Sequence, residues 1–138
     1  MKHVVLIVDS PEICQVMSQV LENEGMRCIY AHSSEDAAER YRAYKDELDL
    51  IIIDDALGRS ESVRSEEGEG AKLILRLSDS GPLKARVLFT TGWLADPIST
   101  SELKGISCNI VLGKPFDAET LVRVVTSILE KPVPHFIV

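Results

Sequence analysis

The stretch Leu50-Ile51-Ile52-Ile53-Asp54-Asp55 decides the fold. Four apolar residues in a row, three of them β-branched, read as a short strand buried on both faces. Strands of that kind belong to parallel sheets covered by helices on either side. The run stops abruptly at two acids, so the strand delivers carboxylates at its C-terminal end.

Working outward, strand-like and helix-like stretches alternate. His3 to Val8 is a valine-rich apolar run that ends in Asp9. Pro11 suits the first turn of a helix, and Ile13, Val16, Met17, Val20 and Leu21 follow as one apolar stripe. Gly25 is a natural stop, and Met26 to Ala31 is a second strand. Ser33 or Ser34 caps a helix with Ala37, Ala38, Tyr41, Tyr44 and Leu48 on one side. Beyond Asp55, residues 58–70 are polar, acidic and aperiodic and read as a long solvated loop. Ala71 to Leu77 forms a helix with Leu73, Ile74 and Leu77 inward, broken by Gly81-Pro82. Arg86 to Thr91 is a fourth strand. Residues 95–104 are weakly helical, and Ser107 to Leu112 is a fifth strand. Asp117 caps a last helix with Leu121, Val124, Val125, Ile128 and Leu129 on one face, and Pro132-Val133-Pro134 stops it.

Strands alternating with helical crossovers make an α/β parallel sheet with helices on both faces, a doubly wound three-layer sandwich. The 138 residues fit one domain, 1–131, followed by a tail or the start of a linker at 132–138. Apolar residues make up 45% and charged residues 27%, a globular balance. Fifteen basic and 22 acidic residues give a formal charge of −7, which opposes direct binding to nucleic acid. No apolar run is long enough for a bilayer, and Val4 to Val8 is too short for a signal peptide. Cys14, Cys28 and Cys108 are scattered, as small buried hydrophobes in a reducing compartment would be. They form no zinc spacing with His3, His32 and His135. A cytoplasmic location is expected.

Ligand sites in such sheets lie at the carboxyl ends of the strands. Those ends carry Asp9-Ser10, Asp54-Asp55, Thr91-Gly92 and Lys114-Pro115. Four strands thus bring two carboxylates, a hydroxyl and an ammonium to one edge. Hard oxygen ligands beside a phosphoryl group suit Mg²⁺, which takes one or two carboxylates and keeps waters. A carboxylate also serves as nucleophile in phosphoryl transfer, with cations and donors around the transferred oxygens.

At this point the chain resembles the receiver domain of bacterial two-component response regulators. The resemblance rests on VVLIVDS (4–10), DLIIIDDAL (49–57), VLFTTG (87–92) and LGKPF (112–116), and it spans residues 3 to about 131. It implies a (βα)5 flavodoxin-like fold with strand order 2-1-3-4-5. It implies that Asp54 is the phosphoacceptor and that Asp9, Asp54 and the main-chain carbonyl of Ala56 hold Mg²⁺. Thr91 matches the switch hydroxyl, and Lys114 the lysine that pairs with the acidic site. Lys114-Pro115 resembles a peptide bond that the family holds cis. The implied role is a phosphorelay switch of protein contacts rather than turnover of a substrate. The phosphoryl group would come from a sensor histidine kinase or a phosphotransfer protein. The output would be a downstream protein or self-association through the face made by segment 95–104, the fifth strand and the last helix.

Three departures bear on that expectation. Ser10 stands where the family has a second acid, which leaves a weak or water-mediated metal contact. Val111 stands where the family has an aromatic switch residue. The span from Asp54 to Thr91 is longer than usual, with the excess in the acidic loop. The alternative expectation is a pseudo-receiver, an interaction module that works without phosphorylation. A flavodoxin-like enzyme binding a nucleotide or flavin is disfavoured, since Asp9-Ser10-Pro11-Glu12 has no glycine to cradle a phosphate. Trp93 either covers the site mouth or packs as a surface aromatic.

Overall fold

The computed structural model describes residues 3–54, 69–79, 83–91, 109–113, 116–130 and 136–137. In chain order the elements are β1 (Val4–Val8), α1 (Pro11–Glu22), β2 (Arg27–Ala31), α2 (Ser34–Tyr44), β3 (Leu50–Asp54), α3 (Glu69–Ser78), β4 (Arg86–Thr91), β5 (Asn109–Gly113), α4 (Ala118–Glu130) and β6 (Phe136–Ile137). The strands form one parallel sheet in the order β2-β1-β3-β4-β5-β6. Its first five strands carry the expected order 2-1-3-4-5. The addition is β6: Phe136 pairs with Ile110 and Ile137 with Val111, so the expected tail contributes an edge strand of two residues.

The apolar runs are explained by burial on both faces. Leu6, Val8, Ile51, Ile53, Val87 and Phe89 pack with α2 and α3 through Ala37, Ala38, Leu73, Ile74 and Leu77. The alternate residues Val5, Ile7, Leu50, Ile52, Leu88 and Leu112 pack with α1 and α4 through Cys14, Met17, Leu21, Leu121, Val124, Val125 and Ile128. Successive strand residues thus serve opposite cores, as the pleat requires. Each buried branched or aromatic side chain contributes about 1.5–3 kcal/mol of transfer free energy.

The helix ends follow capping chemistry. Ser33 Oγ accepts the Asp36 N–H at 3.1 Å at the start of α2. Asp117 Oδ1 accepts the Thr120 N–H at 2.8 Å at the start of α4. After α1 the chain turns through Gly25 at φ +85°, a left-handed conformation that glycine adopts without steric cost. The apolar stripe read for α1 needs a correction. Val16 is 59% exposed, and the buried face is Cys14, Met17, Ser18 and Leu21. Ile13, Met17, Val20 and Leu21 of the expected stripe do pack against that core. Cys14 and Ser18 keep the 3.6-residue period but are weak hydrophobic signals, so the expected stripe has Val16 in their place. Segment 95–104, residues 58–68 and Trp93 lie outside the described residues. The last two residues of the stretch read as loop, Glu69 and Gly70, are instead in the first turn of α3, which starts before the apolar positions that signalled it.

Candidate functional site

Register places the acids. Val8 pairs with Ile53 across β1 and β3, so Asp9 and Asp54 leave neighbouring strands at the same level of the carboxyl edge. Adjacent strands run about 4.8 Å apart, so the two residues stand side by side at the carboxyl edge. Asp9 is 5% exposed and Asp54 is half-buried. Asp54 pairs in turn with Thr90 on β4, and Thr90 with Leu112 on β5.

The β1–α1 junction fixes Asp9 from several directions. Its N–H donates to the Ala31 carbonyl at 3.2 Å. Its Oδ1 accepts the Ser10 N–H at 2.7 Å, a short charge-assisted bond. Its main-chain carbonyl accepts from His32 Nδ1 at 3.1 Å and from the Cys14 thiol at 3.6 Å. Burial pushes the Cys14 thiol above its ordinary pKa, with the Asp9 carboxylate adding in the same direction, so the sulfur stays protonated and donates.

Ser10 is the N-cap of α1. Its backbone is extended at φ −62° and ψ 157°, and its Oγ accepts the Ile13 N–H at 3.5 Å. The serine hydroxyl is therefore engaged at the helix end. Thr91 ends β4 as the partner of Gly113, and only its main chain belongs to the described part of the molecule. Ala56, Asp55, Lys114 and the Lys114-Pro115 bond lie outside the described residues. The structure thus brings Asp9, Asp54 and the end of β4 together and describes Ser10 as a cap.

Thr90 is a residue that the sequence reading passed over. It is fully buried, and its Oγ1 has no hydrogen-bond partner among the described residues. It lies level with Asp54 on the face served by α1 and α4, since Leu88 and Ile52 both belong to that core. The signal was present as strand alternation counted back from Asp54.

A structure of the chemotaxis response regulator CheY4 of Vibrio cholerae superposes with a TM-score of 0.75 at 23% identity. It covers 94% of this chain and 100% of that one. A response regulator from Thermotoga maritima gives 0.74 at 21%, covering 95% and 100%. A CheY-like receiver domain protein from Methanospirillum hungatei gives 0.75 at 20%, covering 94% and 95%. The fold is that of a response-regulator receiver domain. No family model matches the sequence, and no curated protein matches it. The likeness to receiver domains therefore lies in the path of the chain and in the four short strand-end motifs. Among the described residues, no group of three or more His, Cys, Asp or Glu side chains is placed to hold a metal. None of the described helices is long and apolar enough to cross a membrane.

The donor set at the receiver edge fits Mg²⁺. Two hard carboxylates lie at one level, one of them almost fully buried, and a magnesium site needs no more than one or two from the protein.

Proposed function

We propose that this chain is a phosphoaccepting receiver domain of a two-component phosphorelay, with Asp54 as the phosphoacceptor. The observation that carries the reading is the shared level of Asp9 and Asp54 at the carboxyl edge of β1 and β3. A carboxylate oxygen of Asp54 attacks the phosphorus of a phosphohistidine on a sensor kinase or phosphotransfer protein. The P–N bond breaks, its electron pair stays on the partner's imidazole nitrogen, and an aspartyl phosphate forms. Asp9, Asp54 and the carbonyl of Ala56 would hold Mg²⁺, which supplies positive charge against the phosphoryl oxygens. Lys114 supplies a second cation and Thr91 a hydroxyl donor.

The added phosphate carries about −1.5 to −2 charges at neutral pH. Drawing Thr91 and Lys114 toward it reshapes the face made by segment 95–104, β5 and α4. That face presents the output to a downstream protein or to a second copy. The role is a switch of protein contacts in the cytoplasm, without turnover of a substrate and without direct contact to nucleic acid.

One observation favours the pseudo-receiver reading: position 10 offers a helix-capping hydroxyl in place of a second metal-binding acid. Intact mass after incubation with acetyl phosphate and Mg²⁺ separates the readings. The phosphoacceptor reading expects one added phosphoryl group on wild type and none on Asp54→Asn. Equal labelling of the variant moves the acceptor to Asp55. An unlabelled wild type at every Mg²⁺ concentration leaves the pseudo-receiver.

A further inference from the structure

We propose that His32 is a positioning residue that orients the Asp9 carboxylate through the Asp9–Ser10 peptide. The inference rests on the reading of the acidic edge as a cation and phosphoryl site. His32 directly follows β2 and directly precedes Ser33, the cap of α2. Its main chain is therefore held between two regular elements. The ring itself is exposed, yet its Nδ1 lies 3.1 Å from the main-chain carbonyl of the almost fully buried Asp9. A carbonyl oxygen only accepts, so this bond requires the tautomer with the proton on Nδ1; the Cys14 sulfur lies 3.8 Å from the same nitrogen.

The carbonyl of Asp9 and the N–H of Ser10 belong to one planar trans peptide and point in opposite directions. Fixing the carbonyl toward His32 turns the Ser10 N–H the other way. That N–H donates to Asp9 Oδ1 at 2.7 Å. The chain of bonds is continuous: imidazole N–H to carbonyl, through the peptide, amide N–H to carboxylate. Each bond polarises the next. The arrangement parallels the way second-layer donors orient ligands at metal sites.

The main chain of the junction has supports besides His32. The Asp9 N–H reaches Ala31, the Cys14 N–H reaches the Ser10 carbonyl at 2.9 Å, and Ser10 caps α1. Loss of the His32 ring thus leaves the strand and helix in place. It frees the Asp9–Ser10 peptide, whose tilt bears on the Asp9 carboxylate, and leaves the long Cys14 thiol contact on that carbonyl.

The test uses the full chain, Mg²⁺ alone as probe, and two substitutions. His32→Ala removes the donor. His32→Asn returns an N–H close to the position of Nδ1. The Ser10 amide proton, followed by NMR, reports the bond to Asp9 directly. In His32→Ala it is expected to move upfield, and half-saturation by Mg²⁺ to need about three- to tenfold more metal, the value of one ordinary hydrogen bond. In His32→Asn both are expected to return toward wild type. An unchanged Ser10 resonance and an unchanged Mg²⁺ titration in His32→Ala would overturn the proposal. So would a His32→Asn variant that stays like His32→Ala. A wild type that binds no Mg²⁺ would instead defeat the site reading, and the Ser10 resonance would still decide the role of His32.

Discussion

Asp54 and Thr90 are register partners on adjacent parallel strands, and the Thr90 hydroxyl beside the acid is fully buried without a hydrogen-bond partner among the described residues. Buried hydroxyls are nearly always bonded, because desolvation without compensation costs about 1–3 kcal/mol. A hydroxyl left unpaired there would cost stability directly beneath the acidic edge.

Replacing Thr90 with valine keeps the branched shape and removes the orphaned oxygen. Thr90→Val is expected to stabilise the domain by about 1 kcal/mol. For a chain of this size that raises Tm by roughly 3 °C, measurable by calorimetry. A fall in Tm would mean that the hydroxyl has a partner in solution.

Cys28 lies half-buried on β2, and burial, with Glu22 adding negative charge, pushes its thiol up to about 12 from an ordinary 9.0. The thiolate is the reactive form. At pH 8 its fraction drops roughly a thousandfold, so native Cys28 is expected to alkylate about that much more slowly than the same residue in urea. Peptide mass spectrometry after timed iodoacetamide labelling gives both rates. Equal rates would show that β2 opens faster than the reagent reacts.

Much of this architecture was legible because β1, β3 and β4 are buried on both faces, and a doubly buried strand prints an uninterrupted apolar run. The strand ends were legible for the same reason, since the first polar residue marks the edge. The inward face of α1 was legible only in part: Ile13, Met17, Val20 and Leu21 pack inward, but Cys14 and Ser18 also lie on that face and Val16 points out. β6 was not, because a strand of two residues has no period to read. Thr90 needed the register of two strands. His32 acts on a main-chain carbonyl 23 residues away, and side-chain spacing carries no trace of such a bond.

Asp117 gives a pH signature. Its carboxylate, an acceptor from the Thr120 side chain and N–H at the start of α4, is held below its ordinary value of 3.8, mainly by those bonds. A carboxylate with a lowered folded-state pKa stabilises the fold above the unfolded-state value. That contribution disappears as pH falls through the folded-state value. Asp117→Ala is expected to lower Tm at neutral pH, with the gap to wild type narrowing below about pH 4. Melting curves at several pH values check this. A gap independent of pH would assign the loss to the alanine backbone rather than to the charge.

Ser10 separates capping from metal binding. Its hydroxyl accepts the Ile13 N–H at the start of α1. Ser10→Ala removes that cap, at a cost of about 0.5–1 kcal/mol, and is expected to leave Mg²⁺ affinity unchanged. Ser10→Asp retains a good cap and places a negative charge at the helix N-terminus, where the dipole favours it. It also sets a further carboxylate next to Asp9. At about 4 Å from a cation, one charge adds roughly 4 kcal/mol of gross attraction at an effective dielectric near 20. Desolvation and repulsion among the carboxylates cancel most of it. A net gain of about 1–2 kcal/mol remains, or roughly tenfold tighter Mg²⁺. Calorimetric titration of the three proteins with Mg²⁺, beside their melting curves, gives the comparison. Weaker Mg²⁺ binding in Ser10→Ala would make the hydroxyl itself a ligand. Unchanged affinity in Ser10→Asp would show that a carboxylate at position 10 stays on the helix end, turned away from Asp9.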